Sequence, residues 1–184
     1  MTMKKILQFI NAIAIVVPLT LTADSQSASD AAFLTSANIL KAIKTMPLGA
    51  AVDRPLRTLD VGSANVGIFV VNRPQEPDQG CTIEHDTLVN DNTTSIFFVL
   101  DGAGTLVTGG TLANPTPLSS SDPDLKLVGK GTRGSGIRNG HARRITKGDI
   151  VLIPAGVPHG FSAIDKSITY EVVRIDSGKI LPVK

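Results

Sequence analysis

Residues 148–159 read Gly148-Asp149-Ile150-Val151-Leu152-Ile153-Pro154-Ala155-Gly156-Val157-Pro158-His159, and the reading of this stretch decides the rest. A glycine and an aspartate turn the chain into four consecutive aliphatic residues, the composition of a short strand. Proline cannot donate to a sheet ladder, so Pro154 ends regular pairing. Gly156 has no Cβ and permits a tight bend. His159 then heads a new strand-like segment.

The same texture extends outward. Residues 66–71, 82–89, 95–100, 104–108, 143–145 and 168–175 are short and rich in β-branched side chains. Asp101-Gly102, Gly109-Gly110, Lys147-Gly148 and Asp176-Ser177-Gly178 punctuate them as turns. Many short strands with such punctuation predict an all-β sandwich or barrel. Residues 111–140 break the rhythm with Asn114-Pro115, a serine run, Asp122-Pro123 and many glycines, and are expected to form a long loop with a short strand at 125–128. Within it, Gly129-Lys130-Gly131-Thr132-Arg133-Gly134 matches G-x-G-x-x-G, but neither a strong strand before it nor an apolar helix after it supports dinucleotide binding. Near the N-terminus, Ile39, Leu40, Ile43 and Met46 recur at helical spacing, which predicts a helix over 36–46, capped by Ser36 and stopped by Pro47. That helix is expected on the outside of the main domain.

Lys4 and Lys5 precede an apolar stretch over 6–21, and small or polar residues follow over 23–28. This is the layout of an export signal covering 1–23, with cleavage between 23 and 28, and it predicts a secreted or periplasmic protein. Gln8, Asn11 and Pro18 interrupt a run already short for a bilayer, so no stable membrane insertion is expected after cleavage. Without that segment, basic and acidic residues balance. The chain has no tryptophan and one tyrosine, and nucleic-acid binding is not expected from so few stacking platforms. Cys81 is the single cysteine, so the core rather than an internal disulfide must hold the fold. The resulting organisation is a signal over 1–23, an N-terminal segment over 24–62, a barrel over 63–178 and a tail over 179–184.

The opening stretch resembles the second motif of the cupin superfamily: glycine, five residues, proline, one residue, glycine, two residues, histidine, here Gly148, Pro154, Gly156 and His159. Ala163 stands where the family often has asparagine. Residues 95–104 resemble the second half of the first cupin motif, with Ser95 where a glutamate ligand is usual and Asn90 and Leu88 where a His-x-His pair is usual. The resemblance spans roughly 66–175. The resemblance implies a single cupin-type antiparallel β-barrel (jelly roll) with a short N-terminal helix, and assembly as a homodimer.

The resemblance also orients the candidate site. Strand alternation puts Phe161 on the face of His159, and Phe97 and Val99 on the face of Ser95. With His85, these form the expected ligand pocket. His85 and His159 are the candidate ligands for one divalent metal (Fe, Mn or Zn), with His141 and Asp91 as weaker candidates, although missing the usual glutamate argues against a tightly held ion. No catalytic role is assigned. His159 is the best candidate, as hydrogen-bond donor or general base; a satisfied structural histidine is the alternative. Residues 126–147 carry seven basic residues and no acid, a solvated loop or an anion-facing rim. Three functional readings follow: an exported cupin-domain protein binding a small polar or carboxylate-bearing molecule; a divalent-metal-dependent dioxygenase, decarboxylase or isomerase; or a structural or interaction protein whose pocket is vestigial.

Overall fold

The computed structural model describes residues 31–46, 52–75 and 87–184. Its elements run α1 (Ser36–Lys44), β1 (Val52–Asp60), β2 (Asn65–Pro74), β3 (Thr87–Asn90), β4 (Thr93–Thr108), β5 (Thr111–Leu112), β6 (Thr116–Pro117), α2 (Leu125–Val128), β7 (Gly131–Gly134), β8 (Ile137–Arg138), β9 (His141–Thr146), β10 (Ile150–Ile153) and β11 (His159–Asp176).

Two strands organise the whole. β4 and β11 pair antiparallel over nearly their full lengths, and register shifts interrupt the pairing. Residues 93, 95, 97 and 99 of β4 are buried, but farther along it is 104 and 106 that are buried, so the inward face changes phase. Gly102 sits at the change with φ +79°, and a Cβ there would lie 2.0 Å from the Ser167 carbonyl oxygen. Asp101-Gly102 is therefore a kink inside one long strand, not the expected turn between two.

Because both strands bend, each serves two sheets. The first half of β4 and the second half of β11 lie in the order β1-β2-β11-β4-β10. The remaining halves lie in the order β9-β4-β11-β3-β7-β6, with β11 meeting β3 at His159 and Leu88. This is an all-β antiparallel architecture with a short N-terminal helix, as expected from the strand and turn pattern. Phe69, Val71, Phe97, Val99, Ile153, Tyr170 and Val172 from the first sheet meet Leu106, Ile145 and Phe161 from the second in one core. Burying each such side chain contributes on the order of 1.5–3 kcal/mol. Leu181 joins this core because the Asp176 carboxylate accepts the amides of Gly178, Ile180 and Leu181 and folds the tail back.

Several expectations are corrected. Residues 111–140 are not a plain loop. β7 pairs with β3 and β6, and β5 pairs with β8. Glycine is depleted in strands, so β7 (Gly-Thr-Arg-Gly) carries no strand signal. Its glycine permits the close approach to β3 instead: a Cβ at Gly131 would lie 2.3 Å from the Val89 carbonyl oxygen. Residues 125–128 form a helical turn instead of a strand, bonded to the Asp124 carbonyl; leucine and lysine favour helix. Thr35, not Ser36, caps α1, sharing a capping box with Asn38; Pro47 lies outside the described residues. β1 escapes the strand pattern because Pro55 and four charged residues disguise its alternation. It tolerates the proline as the end strand of the sheet among the described residues, paired with β2 through a register shift at Pro55 and Arg57. α1 packs against β1 and β2. Among the described residues no helix is long and apolar enough to cross a membrane.

Candidate functional site

A cavity of about 410 Å³ lies between the two sheets. Its floor is apolar and aromatic. Phe97 and Tyr170 rings stand 4.6 Å apart, Phe161 and Tyr170 5.9 Å apart, and Leu106 completes the surface. His159 sits at this floor, its ring edge-on to Phe97 with centroids 6.1 Å apart. Its Nδ1 donates to the Val157 carbonyl at 3.0 Å. In the neutral ring that bond places the proton on Nδ1 and leaves Nε2 an acceptor.

Charged side chains line the cavity beside these rings. Asp53 from β1, Arg73 from β2, Arg133 from β7 and Arg174 from β11 line it, and Asp124 joins them from the turn before α2. Arg174 is buried. It donates to Asp53 Oδ2 at 2.6 Å and to the Leu127 carbonyl at 2.8 Å, and its guanidinium lies 4.4 Å from the centre of the Phe69 ring. Arg73 donates to the Tyr170 hydroxyl at 2.9 Å and stands 3.7 Å from Asp53 Oδ1. Arg133 bonds Asp124. Burial alone would push the Asp53 carboxyl up, but Arg174, Arg73 and Arg133 together outweigh it and hold the group below its ordinary range. Three arginines against two aspartates leave one positive charge in excess on the wall, beside a low-dielectric floor where such charge acts strongly.

The segment before and through α2 closes one side. Arg174 holds the Leu127 carbonyl, Asn90 Nδ2 donates to the Val128 carbonyl at 2.7 Å, and Arg133 holds Asp124. Arg174 and Asn90 thereby supply the donors that the end carbonyls of an isolated turn of helix lack.

Of the residues expected in the pocket, Ser95, Phe97, His159 and Phe161 line the cavity. Val99 lies within the core and not among the lining side chains. His85 falls outside the described residues. Of the weaker metal candidates, Asp91 is exposed in the turn between β3 and β4, and His141 is exposed on β9. Among the described residues no group of three or more histidine, cysteine, aspartate or glutamate side chains is placed to hold a metal ion. Ser95, buried where a glutamate ligand is usual, offers a hydroxyl and no charge. The described side chains therefore do not fit an Fe, Mn or Zn centre, and the cavity's chemistry is that of its arginines, aspartates and rings.

The charged wall is absent from the pocket expected from sequence. A signal for part of it existed. Arg174 is in phase with Ile168, Tyr170 and Val172, and Arg73 is in phase with Phe69 and Val71, so period-two alternation points both inward. Nothing local marks Asp53 or Arg133, which lie in segments without strand patterning.

No protein-family model matches the chain, and no curated protein matches it. Solved structures do. The chain is similar to a Bacillus halodurans protein at 10% identity, covering 82% of this chain and 85% of that one, with a TM-score of 0.43. It is similar to the cupin domain of Schizosaccharomyces pombe Cnp3 at 12% identity, covering 73% and 66%, with a TM-score of 0.42. A third similar structure is an RmlC-like cupin family protein with a double-stranded β-helix fold from Methanocaldococcus jannaschii, at 14% identity, covering 72% and 87%, with a TM-score of 0.38. At such distances the barrel stands on its own strand pairing, described above.

Proposed function

We propose that this is an exported protein that binds a small carboxylate-bearing molecule in the cavity between its sheets. The observation that carries the reading is the make-up of the cavity: the rings of Phe97, Phe161 and Tyr170 line it together with Arg73, Arg133 and Arg174, whose charge exceeds that of Asp53 and Asp124 by one. Apolar walls with a few placed polar groups are the usual form of a small-molecule site. Guanidinium groups suit carboxylates because their donors match the planar anion. Asp53 and Asp124 keep the arginines from carrying a larger uncompensated charge and set their directions. An interior filled by side chains, which a purely structural role would favour, is not what these residues build. The basic start and apolar stretch over 4–21 support export.

The test compares acids with their amides. Hexanoate and benzoate are titrated into the purified protein by calorimetry, beside hexanamide and benzamide. The acids are expected to bind, and the isosteric amides to bind at least about tenfold more weakly, the loss of one charge-assisted hydrogen bond. Equal binding of acid and amide would refute an anion site. Export is tested by cell fractionation with N-terminal sequencing, which should find the protein outside the cytoplasm, beginning just after a cleavage between 23 and 28.

A further inference from the structure

The basic run over 126–147 is not one charged surface, because the fold sorts its members. Arg133 turns to Asp124, Arg144 is held by both Asp165 oxygens at 3.0 and 2.6 Å, and Lys147 stands 4.0 Å from Asp101. Arg143 makes no ion pair among the described residues. Its position in the sheet is specific. β9 pairs with β4 without a register shift, setting His141 opposite Thr108, Arg143 opposite Leu106 and Ile145 opposite Gly104. β4 in turn sets Thr108 opposite His159 and Leu106 opposite Phe161.

Side chains directly opposite on paired strands share a face. Ile145 is buried in the core, so His141 and Arg143, in phase with it, belong to the inner face of the barrel, while Arg144 belongs to the outer face with Asp165. One row of the inner face therefore reads Phe161, Leu106, Arg143. The first two line the cavity, and the third stands exposed where the sheet ends at β9. An arginine at the open end of an apolar cavity wall, with Arg133, Arg144 and Lys147 of the same run already facing acids, is a docking point for a second anionic group.

We infer that Arg143, with His141 beside it, forms a second carboxylate subsite at the β9 edge of the cavity, and that the ligand is a dicarboxylate whose two charged ends are joined by an apolar stretch lying over Leu106 and Phe161. The inference rests on the carboxylate-binding reading of the cavity, which supplies the first anchoring point at the interior arginines.

The test uses pairs matched in their apolar part: hexanoate with adipate, octanoate with suberate, benzoate with terephthalate. Dissociation constants are measured by calorimetry on the parent chain and on Arg143→Gln, with Arg144→Gln as a control of equal charge change on the outer face. The parent is expected to bind at least one diacid about tenfold more tightly than its monoacid, the equivalent of one added charge-assisted hydrogen bond. Arg143→Gln should bind that diacid no better than the monoacid, and Arg144→Gln should keep the preference. If no acid of either kind binds the parent, the reading of the cavity falls and the inference with it. If monoacids bind but no diacid is preferred, or if Arg143→Gln keeps the preference, the second subsite is overturned and the carboxylate reading stands. A preference lost equally in both variants would show a general effect of surface charge, and would also overturn it.

Discussion

The two walls of the cavity are built by opposite means. The floor side takes its side chains from two paired strands, Phe97 and Leu106 from β4 and His159, Phe161 and Tyr170 from β11. Its side chains are positioned by local alternation and by packing that asks only for apolar volume. The charged wall draws Asp53, Arg73, Arg133 and Arg174 from four separate strands. Arg174 is a buried ion, and Asp53 and Arg73 are largely withdrawn from solvent, an arrangement tolerable only because each meets a counter-charge or carbonyl from elsewhere in the chain. The first wall should therefore respond to mutation gradually, and the second abruptly.

The sharpest way to break this contrast is Asp53→Ala. It leaves the buried Arg174 without its carboxylate and should cost about 4 kcal/mol in urea denaturation, the range for half a buried ion pair. The paired variant Asp53→Leu with Arg174→Met should recover most of that loss, because an apolar pair of similar volume removes both desolvation penalties. A single variant within about 1 kcal/mol of the parent would mean the wall is not truly desolvated. Phe97→Ala tests the floor and should cost about 3 kcal/mol, the low end for a buried phenylalanine. The adjoining cavity already deprives that ring of some neighbours, so a loss beyond about 5 kcal/mol would contradict the layout.

Acid titration separates the walls without mutation. The Asp53 carboxyl is depressed in the folded state, so its stabilisation is fully present above the ordinary carboxylate range and is lost as pH falls through the lowered folded value. Stability followed by calorimetry should decline in the acid range, and Asp53→Leu with Arg174→Met should show a shallower decline. A parallel decline in both proteins would assign acid sensitivity elsewhere. The smallest effect is expected for His159→Gln, about 1 kcal/mol, for loss of the Nδ1 bond to Val157 and of the edge contact with Phe97.

How much of this was legible follows the same divide. Gly148, Pro154, Gly156 and His159 announce strand, corner and strand, and the chain folds that way: β10 ends at Ile153 and β11 begins at His159. Ser95 and Phe97 take their inward places because alternation is a property of one strand. β1 and β7 were not legible, since charge and proline obscure one and glycine the other. Asp101-Gly102 misled for a related reason: a residue pair suited to a turn also suits a kink when a neighbouring backbone crowds the site, and only the approach of Ser167 distinguishes them.

The sequence by itself determined an all-β architecture, a histidine at the head of the last strand and an apolar lining behind it. Those features follow from local chemistry, namely which residues extend, which turn and which alternate. Only the tertiary structure decided that the cavity is charged, that Ser95 faces rings and arginines instead of a ligand set, and that Arg143 and Arg144 part company across one strand. Such outcomes depend on which distant strand lies opposite. A buried charge is stable only in the company of its counter-charge, and the chain supplies that company across 121 residues between Asp53 and Arg174.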